Sequence, residues 1–192
     1  MKYPYRAIPD SEIPRAQTPL LQHALEIYTA EINKVVSVWR EFTPEDLSFQ
    51  PHPRSSSVLE ILRHQLLSER RFFGEFLGSP EPPANEVLPP DQTPLAFSNR
   101  LVALARPRLS FLAGQSEAWW LAEVPFFDVE RQRIWIFWRR VLHTAHHRTQ
   151  LTVCLRLLEK GVVPTYGPTA DVRWAGADPT VTVEATGKGG RK

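Results

Sequence analysis

Residues 129–160 read VERQRIWIFWRRVLHTAHHRTQLTVCLRLLEK, and they lie within the longest proline-free window of a chain that carries 18 prolines. Proline removes a backbone donor and clashes with the preceding helical turn, so stretches without it are where long helices can run. The window predicts a helix from about Val129 to Lys160, with Asp128 as its N-cap and Gly161 closing it. Two further proline-free windows, 20–43 and 54–79, predict two more helices.

The first of these opens at Thr18-Pro19, a side-chain oxygen for free amides followed by a residue preset for the first helical position. Leu21, Leu25, Tyr28, Ile32, Val35 and Trp39 then recur at helical spacing. The second opens at Ser57, where Ser57 and Glu60 form a capping box, and it continues through Leu62, Leu66, Phe73 and Phe76 to about Leu77. Gly78 and Ser79-Pro80 stop it, and the proline-rich stretch 79–91 reads as a surface connection. Thr93-Pro94 starts another helix, in which Pro107 predicts a kink or a break. Trp119 to Phe127 is aromatic but has no clear period, and no segment calls for a strand. The expected fold class is therefore all-α, a four-helix bundle in one domain over residues 1–174. Residues 175–192 are rich in Gly, Thr, Ala and Lys and read as a disordered tail.

The chain has 192 residues, enough to bury roughly 70% of its unfolded surface in one core. A single cysteine, Cys154, forbids an internal disulfide framework and suits a reducing, cytoplasmic setting. No export signal is evident at the amino terminus, and apolar runs of at most five residues exclude a membrane span. Net charge is +2 with both signs interspersed, which gives no electrostatic case for nucleic acid or anionic lipid.

Three of the six histidines fall at positions 143, 146 and 147. On a helix, His143 and His147 stand one above the other and can offer two nitrogens to one ion, while His146 is turned aside. Ile136, Gln150, Cys154 and Leu158 continue the same stripe, so the rings interrupt an inward seam. Buried rings need partners, and the alternatives at this point are an ion or a satisfied pair of core or surface histidines. A third ligand would have to come from another helix. His64 is placed in the second helix, but its face carries Ser57, Glu60, Ser68 and Arg71, so spacing alone turns it toward solvent.

The segment SSSVLEILRHQLLSERRFFGEFLG, followed downstream by HTAHHRTQ, resembles the DinB/YfiT-like superfamily of metal-binding four-helix bundles. A PEDL turn and a segment at Pro164 to Pro168 extend the resemblance over about residues 18–170. It implies that His64, His143 and His147 are metal ligands and that Arg148 is the motif's arginine. Thr149 departs from the glycine that many relatives carry there. The resemblance further implies a divalent transition metal, zinc or nickel, and a thiol-dependent S-transferase using a low-molecular-weight thiol. A metal-dependent hydrolase and a non-catalytic metal-binding or interaction bundle are the alternatives. Gln150, Arg148, Glu60 and Glu69 are candidates to support the ligands from behind, although Glu60 also caps a helix and Glu69 reads as a surface acid. Cys154 reads as small core packing, and the pairs Arg70-Arg71 and Arg139-Arg140 as solvated faces unless a cosubstrate brings carboxylates to them. A small-molecule substrate and a homodimer complete the expectations.

Overall fold

Thr18 caps the first helix as its position requires: its hydroxyl accepts from the Leu21 amide at 3.3 Å, and α1 runs Pro19–Trp39. In this computed structural model the described residues are 5–172, so Trp174 and the expected tail at 175–192 lie outside them. Helix α2, Val58–Arg71, starts at the Ser57–Glu60 capping box and passes into a wider π turn over Phe72–Phe76. Gly78 then takes a φ of 72°, a conformation that costs glycine nothing, and turns the chain away.

Helix α3 runs Pro94–Ala113 from its Thr93 cap, and it continues through Pro107 instead of breaking there. A short α4, Glu117–Leu121, begins at Ser116, whose hydroxyl accepts from the Trp119 amide. Contrary to the expectation that no strand is needed, the chain next forms a hairpin. Strands β1 (Glu123–Phe126) and β2 (Val129–Gln132) pair antiparallel, with Phe126 opposite Val129 across a two-residue turn. Phe127 enters that turn with a φ of 55°, and β2 is exposed at all four positions. A hairpin with no glycine in its turn and no alternation in β2 carries neither of the usual sequence signals.

The last long helix, α5, therefore spans Arg133–Leu157, four residues shorter at its start than the sequence suggests. Asp128 sits in the hairpin turn and does not cap it. At the other end Glu159, with a φ of 58°, takes the left-handed position expected of Gly161. The Lys160 amide then donates back to the Leu155 carbonyl at 2.9 Å.

The fold is mostly helical, and α1 packs on α3 and α5 while α2 packs on α5 and α3. Leu25, Ile32, Trp39, Leu62, Leu66, Phe97, Phe137 and Leu151 meet in the shared core without measurable exposure. Removing such apolar surface from water is the main stabilising term, at about 25 cal/mol per Å². The stretch 79–91 is more than a surface connection. Val87 is fully buried, and the Glu81 carboxylate is carried inward to Arg108 on α3, with bonds of 2.7 Å to Nε and Nη2. None of the described helices is long and apolar enough to cross a membrane.

Candidate metal centre

α2 and α5 lie side by side, and this contact brings His64 to the pair on α5. One nitrogen from each of His64, His143 and His147 can be chosen so that all lie within 4.8 Å of one another. The ring centroids stand 5.3 Å apart for His64 and His143, 4.7 Å for His64 and His147, and 4.5 Å for His143 and His147. His64 is exposed and the other two are half-buried. The spacing argument that turned His64 toward solvent was therefore sound; a residue on the flank of α2 can face water and still reach the neighbouring helix.

Fixed partners hold the α5 rings. Arg140, buried to 1% exposure, donates to His143 Nδ1 at 2.8 Å, to Ser68 Oγ at 2.8 Å and to Thr144 Oγ1 at 2.8 Å. A guanidinium can only donate, so Nδ1 of His143 accepts and its Nε2 carries the proton. That proton points at Nε2 of His147, 3.0 Å away, which must accept. His147 then donates from Nδ1 to Gln150 Oε1 at 2.8 Å. One tautomer assignment satisfies the whole chain of bonds.

Burial lowers the pKa of all three rings, and Arg140 lowers them further by repelling the charged form; the effect is largest at His143, pushed down to about 3. Gln150 opposes the shift at His147. The rings are therefore neutral at physiological pH, which is the state that offers lone pairs to a cation. Zinc–nitrogen bonds of about 2.0–2.1 Å put ligand nitrogens roughly 3.3 Å apart in a tetrahedral site, so small ring movements would bring the cluster to that spacing, with His143 also exchanging the tautomer that Arg140 imposes.

The other candidates fall in different places. Gln150 lies against His147, its Oε1 2.8 Å from Nδ1. Glu60 is held by the capping box, accepting from the Ser57 amide and hydroxyl. Glu69 is a buried acid, not a surface one: it accepts from the Tyr28 hydroxyl at 3.0 Å and pairs with Arg108 at 3.1 Å. Arg148 is also buried, but it points toward α1 and the C-terminal segment, donating to Thr165 Oγ1 at 2.7 Å and to Glu31 at 3.4 Å beneath the Tyr166 ring. His146 is exposed and outside the cluster. Cys154 is buried as expected, with its thiol pKa raised by that burial, and it too is outside the cluster.

Arg140 is the residue that sequence reasoning missed. Beside Arg139 it reads as half of a solvated basic pair, whereas the structure sends it inward; its nearest signal is a place one turn before His143 on the inward stripe. Next to the cluster lies a cavity of about 470 Å³, lined by His64, His147, Gln150 and Cys154 on one side and by the 51–56 loop on the other.

A search of the curated proteins finds no match. Among solved structures, a DinB-like protein from Bacillus cereus superposes with a TM-score of 0.65 at 17% identity, covering 74% of this chain and 95% of that one. A DinB-like protein from Bacillus subtilis gives 0.58 at 13% identity, with coverages of 75% and 97%. These likenesses are of fold. At the level of sequence, the family model of the DinB superfamily matches residues 27–151, a segment that holds all three histidines and both helices presenting them, and the chain belongs to that superfamily.

Proposed function

We propose that this four-helix bundle holds one divalent transition metal, zinc or nickel, on His64, His143 and His147, and that it is a thiol-dependent transferase acting on a small molecule. The observation that carries the reading is the convergence of three neutral histidine rings from two helices beside an open cavity. Three protein ligands leave a coordination position free, as catalytic sites do. Second partners tune the set: Arg140 and Gln150 each fix one ring, and such partners commonly change metal affinity by about 10- to 100-fold.

A bound cation would supply the charge that keeps a thiol deprotonated. The chain's own residues fit that role better than they fit base-assisted hydrolysis. Among the described residues no Asp or Glu lines the cavity, and the clustered groups are all histidines, so none of these offers a carboxylate to take a proton from water. A thiol is acidic enough that a nearby cation would let it lose its proton to solvent without such a base. Two copies would pair through α5, whose Trp135, Leu142, Val153 and Leu157 remain exposed. The lone buried thiol of Cys154 is consistent with a cytoplasmic setting.

The test is elemental analysis of the tag-free protein beside His64→Ala, His147→Ala and His146→Ala. The expected result is about one transition-metal ion per chain in the wild type and in His146→Ala, and its loss from the other two. A folded wild type that takes up neither zinc nor nickel overturns the reading. A loaded protein is then screened for transfer between small thiols and electrophiles, with ester hydrolysis as the competing outcome.

A further inference from the structure

The cavity beside the histidines has a second end. Its far wall is the loop 51–56, where Arg54 reaches the lining together with Ser55 and Ser56. Arg54 is exposed, and its guanidinium has no carboxylate or carbonyl partner among the described residues. The hydroxyls of Ser55 and Ser56 likewise make no hydrogen bond there, in contrast to Ser57, which is committed to the α2 cap.

The loop itself is braced. The Arg54 amide donates to His52 Nδ1 at 3.1 Å, the Ser55 amide donates to the His52 carbonyl at 2.8 Å, and the Val58 amide donates to the Phe49 carbonyl at 3.0 Å. Gln50 adds a side-chain bond to the Ser55 carbonyl. Its backbone is therefore set while three donor side chains stay free, an arrangement that lowers the ordering cost of binding. Among the described residues Arg54 is also the only side chain in the lining with a permanent charge, and the nearest acid in sequence, Glu60, is tied up in its capping box. Between the two ends, Ile61 and Cys154 supply an apolar wall. A volume of about 470 Å³ is in the range that takes small organic molecules.

We propose that Arg54, with Ser55 and Ser56, forms a carboxylate-binding end of this cavity, so that the site takes a small organic acid whose other end reaches the histidine cluster. The planar guanidinium fork matches a carboxylate, and the hydroxyls can donate to the same group. This assignment deepens the metal reading above and rests on it only for what happens at the histidine end.

The experiment is calorimetric titration with two probes that differ in one group, mercaptopropionate and mercaptopropanol, against the full chain with and without zinc. Their common thiol occupies the metal, leaving the carboxylate or hydroxyl to report on the far end. The wild type should prefer mercaptopropionate by about tenfold, and Arg54→Gln should reduce the preference to within about twofold while zinc content stays unchanged. Arg63→Gln, which removes an exposed arginine bonded to Gln92 outside the cavity, controls for net charge and should keep the preference. A preference that survives in Arg54→Gln, is lost in Arg63→Gln, or is absent from the wild type both with and without zinc overturns the proposal. Failure of zinc to bind is read separately and sinks only the metal reading, because the zinc-free arm still measures the carboxylate preference.

Discussion

Arg108 and Arg140 are each 1% exposed, and both lie within the field of Glu69, yet they are treated in opposite ways. Arg108 on α3 is enclosed by anions. Glu81 grips its Nε and Nη2, and Glu69 stands 3.1 Å from Nη1, an ion pair whose angle falls short of a hydrogen bond. Those charges drive its pKa further up despite burial. Arg140 on α5 hydrogen-bonds to neutral groups, a serine, a threonine and an imidazole, and lies over the Phe72 ring. Burial wins there, and its pKa falls to about 10. A buried cation surrounded by carboxylates closes a structure, tying α2, α3 and the 79–91 connection together. One surrounded by neutral acceptors has donor capacity to give, and Arg140 gives it to a histidine at the candidate centre.

The contrast predicts the largest effect at Arg108. Replacing it with Met leaves two buried carboxylates without their cation, and breaking such a pair costs about 3–5 kcal/mol. Urea denaturation should show that loss, with metal uptake of the surviving folded fraction intact. Arg140→Gln is expected to divide its effect the other way. Stability should fall by about 1–3 kcal/mol, while metal affinity changes by about 10- to 100-fold through loss of the bond that orients His143. Equal effects on affinity from both variants would erase the distinction between the two arginines.

The exposed Arg156–Asp171 pair sets the lower end of the scale. Hydrogen bonds from Arg156 and from the Val162 amide hold the Asp171 carboxyl below its ordinary value of 3.8. A carboxyl with a lowered folded pKa contributes stability that is present above the unfolded value and lost as pH falls through the folded one. Asp171→Asn should therefore differ slightly from the wild type in denaturant midpoint at pH 7, and the difference should shrink as the pH falls below 3.8 and through the lowered folded pKa. A difference that grows on acidification would contradict the assigned sign.

Much of this architecture is legible in the sequence, because prolines and hydroxyl caps mark helix starts locally. Thr18, Ser57 and Thr93 each cap the helix assigned to them. The hairpin is not legible, since Val129 to Gln132 is exposed throughout and its pairing is decided by Phe126 packing against Phe72, Phe76 and Trp135 from distant positions. Buried charges fail for a related reason. Glu69 and Arg140 look like solvent residues until partners 39 and 72 positions away, Arg108 and Ser68, are brought to them. At the candidate centre, spacing finds the His143 and His147 pair, whereas His64 is reached only through resemblance, because a flanking position on one helix says nothing about which helix lies beside it.

The chain of bonds from Arg140 through the two rings to Gln150 has a direction, and direction makes its members unequal. At the point where the rings converge, His147 presents an open lone pair while His143 presents a hydrogen. To a cation His147 would offer that lone pair directly, whereas neutral His143 would offer Nε2 only after releasing Arg140 and carrying its single proton on Nδ1 instead. An arginine outside the ring cluster thereby decides which of the two histidines has a lone pair free to accept.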